Sequence, residues 1–134
     1  MKEVVVDTNS LLRYLLKDIP EQAQRVREIF KQSAAGVIRI VVTELVLAEV
    51  VYVLTKSYGW DRAKVVDAGL RLVASPLIDM ENRSEVVRGL NMFKEKRLSF
   101  VDCMLAARVI EGKKWLFTFD IRLKKMVEEY GGSV

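Results

Sequence analysis

Short apolar strands alternate with longer helical segments along the chain, and this alternation constrains the fold more than any other feature. Residues 4–6, 37–42 and 115–119 are rich in β-branched or aromatic side chains, which favours strands. The segments between them carry apolar residues at helical spacing and are long enough for the crossovers that parallel strands need. The sequence therefore predicts an α/β fold in which helices cover a parallel sheet.

The chain shows no division into separate units. It has 134 residues, of which 51% are hydrophobic, with no internal repeat and no linker rich in Pro, Gly or Ser. A chain of this length can bury one core without disulfides, so we expect residues 1–134 to form a single domain. Its longest apolar stretch falls short of the roughly 20 residues of a membrane-spanning helix, and no signal peptide is recognisable. We therefore expect a cytoplasmic protein without a membrane partner.

Polar residues that can cap a helix precede five of the predicted helical segments. They are Asp18, Thr43, Asp61, Asn82 and Ser99. Glu85 and Asp102 follow the last two at the spacing of a capping box, in which the two residues satisfy each other's backbone N–H groups. We expect a helix to begin at each of these positions.

The chain contains no histidine and a single cysteine, Cys103. Catalytic triads with histidine, HExxH zinc sites and imidazole proton shuttles are thereby excluded. One cysteine cannot form an internal disulfide or a Cys-rich metal site, so we expect Cys103 to be a small buried apolar residue. Acid–base or metal chemistry must rest on carboxylates. The net charge of +4 permits a polyanionic partner but does not demonstrate one.

Four acidic residues are candidates for such chemistry. Asp7 and Asp120 each follow a predicted strand, where either could simply cap a helix or form a turn. Asp102 lies in the first turn of an apolar helix and could serve only as a capping-box partner. Glu49 lies within a helix that is apolar on every side, so we expect it to be buried and therefore protonated, bound to a metal, or paired in a salt bridge.

These four carboxylates are expected to converge. In a parallel sheet the carboxyl ends of the strands and the starts of the following helices meet at one edge. Clustered carboxylates repel one another, so such a site needs a cation, and an oxygen-only ligand set favours Mg²⁺ or Mn²⁺. A metal of this kind typically activates water for phosphodiester hydrolysis.

The segments around the four acids resemble the PIN-domain family, in particular the short VapC-like toxin ribonucleases. They read Val4-Val5-Val6-Asp7-Thr8-Asn9, Leu47-Ala48-Glu49-Val50, Ser99-Phe100-Val101-Asp102 and Thr118-Phe119-Asp120, and they span nearly the whole chain. The resemblance implies a three-layer α/β/α sandwich with a central parallel sheet of four or five strands. It also implies an endoribonuclease dependent on Mg²⁺ or Mn²⁺, with Asp7, Glu49, Asp102 and Asp120 as both catalytic residues and metal ligands.

The same resemblance implies supporting residues and partners. Thr8, Asn9, Ser99 and Thr118 would support the metal ligands or orient water. RNA would be the substrate, a small antitoxin would insert its C-terminal segment into the active-site groove, and the protein would form a homodimer. Glu44 lies near Glu49 but is better interpreted as a favourable charge in the first turn of its helix.

Basic residues near the four acids are candidates for phosphate contacts, although solubilising charge is their commoner role. They are Arg13, Lys17, Lys94, Lys96, Arg97, Arg122, Lys124 and Lys125. A PIN-like RNA-binding or scaffold module without turnover is the main alternative. A haloacid-dehalogenase-like phosphatase needs a second Asp where Asn9 stands, and a receiver domain needs an acidic pair and a lysine that the chain lacks.

Overall fold

The structure is a computed structural model that describes residues 1–134, and it contains seven helices and a parallel sheet of three strands. The elements in chain order are β1 (Lys2–Val5), α1 (Thr8–Leu16), α2 (Pro20–Ala34), β2 (Ile38–Val41), α3 (Glu44–Lys56), α4 (Arg62–Ala74), β3 (Ile78–Asp79), α5 (Arg83–Glu95), α6 (Phe100–Glu111) and α7 (Ile121–Glu129). The predicted α/β class with a parallel sheet is confirmed.

The sheet brings three chain segments to one edge. β2 lies in the centre, with Val41 in register with Val5 of β1 and with Asp79 of β3. Two further backbone bonds extend these ladders, from Val6 N–H to the Val41 carbonyl at 3.2 Å and from Val42 N–H to the Asp79 carbonyl at 3.0 Å. Because the strands are parallel, the residues that follow them emerge at the same edge.

The strand predicted at residues 115–119 is wrong, and the sheet has three strands instead of four or five. This segment makes a single bridge, between Trp115 and Ser133, and the Leu116 N–H donates to the Ser133 carbonyl at 3.0 Å. Its backbone therefore pairs with the end of the chain and does not join the sheet. Aromatic alternation indicated a strand, but strand formation also depends on the partner edge that tertiary structure supplies.

Three of the five predicted helix caps are confirmed. The side chains of Thr43, Asp61 and Ser99 accept hydrogen bonds from the backbone N–H three residues later, at 3.2, 2.8 and 3.1 Å. These bonds satisfy donors that the first turn of a helix leaves without partners.

The other two predicted caps are wrong, because each polar side chain finds a different partner. α2 begins after Ile19, which has no capping side chain, while Asp18 pairs with Arg13 at 3.3 Å. Asn82 does precede α5, but it has a left-handed backbone with φ of 57° and makes no capping bond. Its amide donates to Glu44 at 3.3 Å instead.

A cluster of 29 buried apolar residues runs from Val6 to Val127 and joins the sheet to the helices. Cys103 on α6 is fully buried in this cluster, as predicted. α5 and α6 approach closely at Gly89, where a Cβ atom would collide with Met104 Sδ. No helix combines the length and hydropathy that crossing a membrane requires.

Candidate active site

Three of the four candidate acids lie at helix starts, and the fourth lies in the middle of a helix. Asp7 precedes α1, Asp102 is in the first turn of α6, and Asp120 precedes α7. Glu49 is on α3. Helix N-termini carry partial positive charge from unpaired N–H groups, so acidic side chains are common at such positions.

Asp7 caps α1 through one carboxylate oxygen. Its Oδ1 accepts hydrogen bonds from the Ser10 hydroxyl at 2.7 Å and from the Ser10 N–H at 2.9 Å. These bonds, the hydroxyl first, hold the pKa of Asp7 below its ordinary value. The other oxygen, Oδ2, accepts no hydrogen bond from the protein, so an exposed and ionised carboxylate oxygen remains at the sheet edge.

Asp120 has the same arrangement at the start of α7. Its Oδ1 accepts from the N–H groups of Arg122 at 2.9 Å and Leu123 at 3.2 Å. The hydroxyl of Thr118 accepts from the Asp120 N–H at 3.0 Å, so Thr118 contacts the backbone of this acid. The cap interpretation therefore holds for both Asp7 and Asp120, and each cap leaves the second carboxylate oxygen free.

Asp102 forms only half of the predicted capping box. Ser99 accepts a bond from the Asp102 N–H, but the carboxylate of Asp102 makes no hydrogen bond in return. It is partly buried and has no basic side chain within ion-pair distance. Asp102 is therefore a carboxylate whose two oxygens are both available.

Glu49 is exposed, so the predicted burial of this residue is wrong. α3 buries the face that carries Leu47, Val50, Val51 and Leu54. Leu45, Glu49 and Tyr52 lie on the opposite face at helical spacing and are all exposed. The prediction failed because two of the apolar residues near Glu49 in the sequence, Leu45 and Tyr52, are themselves exposed.

None of the four candidate acids forms an ion pair, although half of the 18 acidic residues do. Glu44 shows the contrast. It pairs with Arg108 at 2.5 Å, and Arg108 also pairs with Glu85 at 3.0 Å. These bonds, that of Glu85 first, raise the pKa of Arg108. Glu44 is therefore held by an ion pair, whereas no basic side chain pairs with any of the four candidates.

The predicted convergence of all four carboxylates is not found, because no three or more acidic or cysteine side chains lie close enough together to hold a metal ion. That prediction assumed that Asp120 follows a strand of the parallel sheet, and residues 115–119 are not in the sheet. The donor chemistry still suits a hard cation, since all four groups offer free carboxylate oxygens. Mg²⁺ commonly uses one or two carboxylates and completes its coordination with water.

Hydrogen bonds to the loop before α6 connect the starts of α6 and α7. Arg122 donates to the Arg97 carbonyl at 2.7 Å. From α4, Arg62 donates to the carbonyls of Lys96 at 2.9 Å and Leu98 at 2.8 Å. The helix that carries Asp102 and the helix that Asp120 caps are thus held to the same loop.

A model of the PIN domain family matches residues 4–129. The chain belongs to the PIN domain family. It is 23% identical over 123 residues to a VapC ribonuclease from Aquifex aeolicus (strain VF5), and this alignment covers 91% of the chain and 90% of that protein. No solved structure gives a significant match. The family resemblance noted in the sequence is thereby confirmed.

In this PIN domain, a cavity of about 350 Å³ opens beside Asp7. Asn9 and Arg13 line it, together with Gln22 and Arg25 from α2. The last two were not anticipated from the sequence, because no motif marks α2 and only tertiary packing brings it here. Thr8, which follows Asp7 in the chain, is buried and does not line this cavity.

Of the basic residues considered as candidates for phosphate contacts, four line one cavity of this PIN domain. Arg97, Arg122 and Lys125 surround a shallow space of about 210 Å³ between α7 and the loop before α6. Lys96 borders the same space but pairs with Glu129 at 2.8 Å. Positive charge therefore lies between α7 and the loop that leads to α6, the helix that carries Asp102.

Proposed function

We propose that this PIN domain is an endoribonuclease dependent on Mg²⁺ or Mn²⁺, and that it is the toxin of a toxin–antitoxin pair. The observation that carries the proposal is that Asp7, Glu49, Asp102 and Asp120 all lack ion-pair partners in a chain that pairs half of its acids. Membership of the PIN domain family and the similarity to a VapC ribonuclease support RNA cleavage as the activity.

The metal ion would be held by Asp7, Asp102 and Asp120, directly or through water, with Glu49 as a further ligand or as the group that orients water. When bound, it would lower the pKa of an attacking water and offset charge on the phosphate. Hydrogen bonds within the protein support this role for two of the acids. Hydrogen bonds from Ser10 keep Asp7 ionised, and Thr118 and the first turn of α7 hold Asp120 in place.

The polar neighbours of these acids have supporting roles in the proposal. Ser99 fixes the first turn of α6 and leaves the carboxylate of Asp102 free. Asn9 lines the cavity beside Asp7, where its amide can orient water or substrate. Because the chain has no histidine, cleavage through the RNA 2′-hydroxyl lacks its usual acid and base, and we expect products with a 5′-phosphate and a free 3′-hydroxyl.

The test is cleavage of a labelled structured RNA with Mg²⁺, Mn²⁺ or EDTA by the parent protein and by Asp7→Asn and Asp102→Asn. Asn preserves the helix cap at position 7, so folding is maintained. We expect EDTA to abolish cleavage and each variant to be slower by about 100-fold or more. Asp67→Asn is the matched control, because Asp67 is exposed and pairs only with Arg71. Cleavage by the variants at the parent rate would disprove the proposed site.

The absence of a preformed group of three ligands favours a second candidate, a PIN-like RNA-binding or scaffold module without turnover. The same experiment separates the two candidates. Binding of the labelled RNA without metal-dependent cleavage would support the module, whereas metal-dependent cleavage would exclude it.

We further propose that residues 1–134 act as one domain in the cytoplasm, that they form a homodimer, and that a small antitoxin closes the active-site groove. The continuous core from Val6 to Val127 supports the single domain. Light scattering tests the dimer. Co-purification with the product of a neighbouring small reading frame, and loss of cleavage in that complex, tests the antitoxin.

A further inference from the structure

The segment before Asp120 exposes an unusual density of aromatic surface. Trp115, Phe117 and Phe119 are 77%, 87% and 91% exposed, and Ile121 beyond Asp120 is also exposed. The rings of Phe117 and Phe119 meet edge to face with 5.4 Å between their centres. Single exposed apolar residues are normal, but a contiguous group of this kind marks a binding surface.

The same segment carries the net charge of the protein. Residues 113–125 contain five basic residues, Lys113, Lys114, Arg122, Lys124 and Lys125, and one acid, Asp120. The remainder of the chain has 17 basic and 17 acidic residues and is therefore neutral. All five basic side chains are exposed, and none forms an ion pair.

Exposed aromatic rings between unpaired cations suit a particular ligand. Proteins that bind single-stranded nucleic acid stack bases on aromatic side chains and contact the backbone with Lys and Arg. In a duplex the bases are already stacked inside and cannot reach a flat ring. A second copy of the chain would bring the same positive segment against itself, and the two segments would repel each other.

We propose that residues 113–125, the aromatic segment, bind single-stranded RNA, with Phe117 and Phe119 stacked on bases and the lysines in contact with phosphates. The bound RNA strand would then lead directly to Asp120, which follows Phe119 in the chain. Phenylalanine offers no hydrogen bonds, so the surface selects unpaired strands without selecting a base. This inference deepens the proposed function and rests on it for the choice of RNA over DNA.

The test measures binding in EDTA, where cleavage does not interfere. Fluorescence anisotropy would follow a labelled short oligouridine, the matching oligoadenosine and a short RNA duplex. The test variant carries both Phe117→Leu and Phe119→Leu, which keep the apolar bulk and remove the aromatic rings. Tyr58→Leu is the matched control, since Tyr58 is an exposed aromatic residue outside the segment.

We expect the double Leu variant to bind both single strands about tenfold or more weakly than the parent, and Tyr58→Leu to bind like the parent. Duplex binding is expected to be weaker and insensitive to the Leu changes. Lys113→Gln and Lys124→Gln test the surface independently. Each should lower the slope of the logarithm of the binding constant against the logarithm of the salt concentration by about 1. Lys56→Gln, an exposed lysine on α3, should leave it unchanged.

Several results would overturn the inference. Parent-like binding by the double Leu variant excludes stacking, and equal binding of duplex and single strand excludes the selection of unpaired RNA. A parent dimer that the double variant abolishes, with RNA binding unchanged, assigns the surface to a second copy. If the parent cleaves RNA but the Leu variants bind normally, only this inference fails. If binding depends on the rings but nothing is cleaved, the proposed nuclease fails and the surface remains.

Discussion

The α5–α6 pair and the aromatic segment use similar side chains in opposite ways. Between the two helices, Phe93 and Phe100 meet edge to face at 5.8 Å and are buried. In the segment, Phe117 and Phe119 meet in the same geometry at 5.4 Å and are exposed. The pairing of the rings is therefore not what distinguishes the two regions. What differs is whether another element covers them, and this decides whether an aromatic pair contributes to stability or is available to a ligand.

The α5–α6 pair, the covered region, is also held by one arginine that bonds to three carbonyl groups, and no such group covers the rings of Phe117 and Phe119. Arg62 donates to the carbonyls of Phe93, Lys96 and Leu98 at 2.8 to 2.9 Å, and its guanidinium lies 4.0 Å from the centre of the Phe93 ring. In the segment, one bridge to Ser133 is the only strand-like contact. We therefore expect changes in the α5–α6 region to alter folding and changes in the segment to leave it intact.

Thiol reactivity should show the largest difference between the two regions. Cys103 is fully buried on α6, and burial raises the pKa of its thiol to about 11. Phe117→Cys places a second thiol in solvent. We expect that thiol to react with an aromatic disulfide reagent about 1000-fold or more faster than Cys103. Cys103 can react only when the protein unfolds locally or globally. Equal rates in urea are the control, and rapid reaction of Cys103 in the native protein would contradict the comparison.

Arg62→Ala should break the covered region most severely among single substitutions. Three carbonyl groups lose their donor, and we expect the free energy of unfolding to fall by about 3 kcal/mol in urea denaturation. Arg71→Ala is the matched control, because Arg71 is exposed and makes only a pair with Asp67, so its loss should cost about 0.5 kcal/mol or less. Similar losses in the free energy of unfolding for the two variants would show that the three carbonyl bonds of Arg62 do not stabilise the protein.

Gly89→Ala tests the close approach of α5 and α6. Alanine favours helices more than glycine does, yet its Cβ would collide with Met104 Sδ. Since the Met104 side chain must move aside, we expect a loss of about 1 kcal/mol in the free energy of unfolding. Ser84→Ala, at an exposed position of α5, should be neutral or slightly stabilising. A gain in stability for Gly89→Ala would show that the Met104 side chain makes room for the Cβ atom without cost.

Alkaline pH should weaken the covered region through Cys103. The pKa of its thiol is about 11 in the folded protein against an ordinary value of 9.0, so the unfolded chain loses its proton first. Stability contributed by the buried thiol is therefore complete below pH 9 and falls as the pH rises toward 11. Cys103→Ala should lack this component in denaturation curves measured across that range. Parallel pH profiles for the two proteins would contradict the assignment.

Phe117→Leu and Phe119→Leu should have the smallest effect on folding. Both rings are exposed, so we expect the free energy of unfolding to change by about 0.5 kcal/mol or less. Phe93→Leu, the same change inside the covered region, should cost more because it leaves a cavity. A large loss at Phe117 would mean that another part of the protein covers the segment in solution.

The sequence predicts features that depend on neighbouring residues better than features that depend on distant ones. The caps at Thr43, Asp61 and Ser99 need only an N–H three residues away, and all three are present. The strand at residues 115–119 needed a partner strand from a distant part of the chain and did not form. Asn82 lost its predicted capping role to a contact with Glu44, which lies far away in the chain.

The candidate site divides in the same way. Sequence motifs identify the four acids, and the local caps of Asp7 and Asp120 follow from their positions. The exposure of Glu49 depends on which face of α3 the other elements cover, and the cavity beside Asp7 depends on α2. Arg62 gave no signal, because its partners are carbonyl groups whose positions no side-chain pattern reveals.

The parallel sheet also sets the order in which the candidate site can be assembled. Lys2 pairs with Ile38, and Ile40 pairs with Ile78, so each ladder closes a loop that contains two whole helices. Such non-local pairings form slowly, because the chain must lose loop entropy before the strands gain any contact. A chain leaving the ribosome can form α1 and α2 early, but the edge beside Asp7 is complete only after β3 has been synthesised. A nascent copy of this protein therefore carries its first candidate acid long before it has a site.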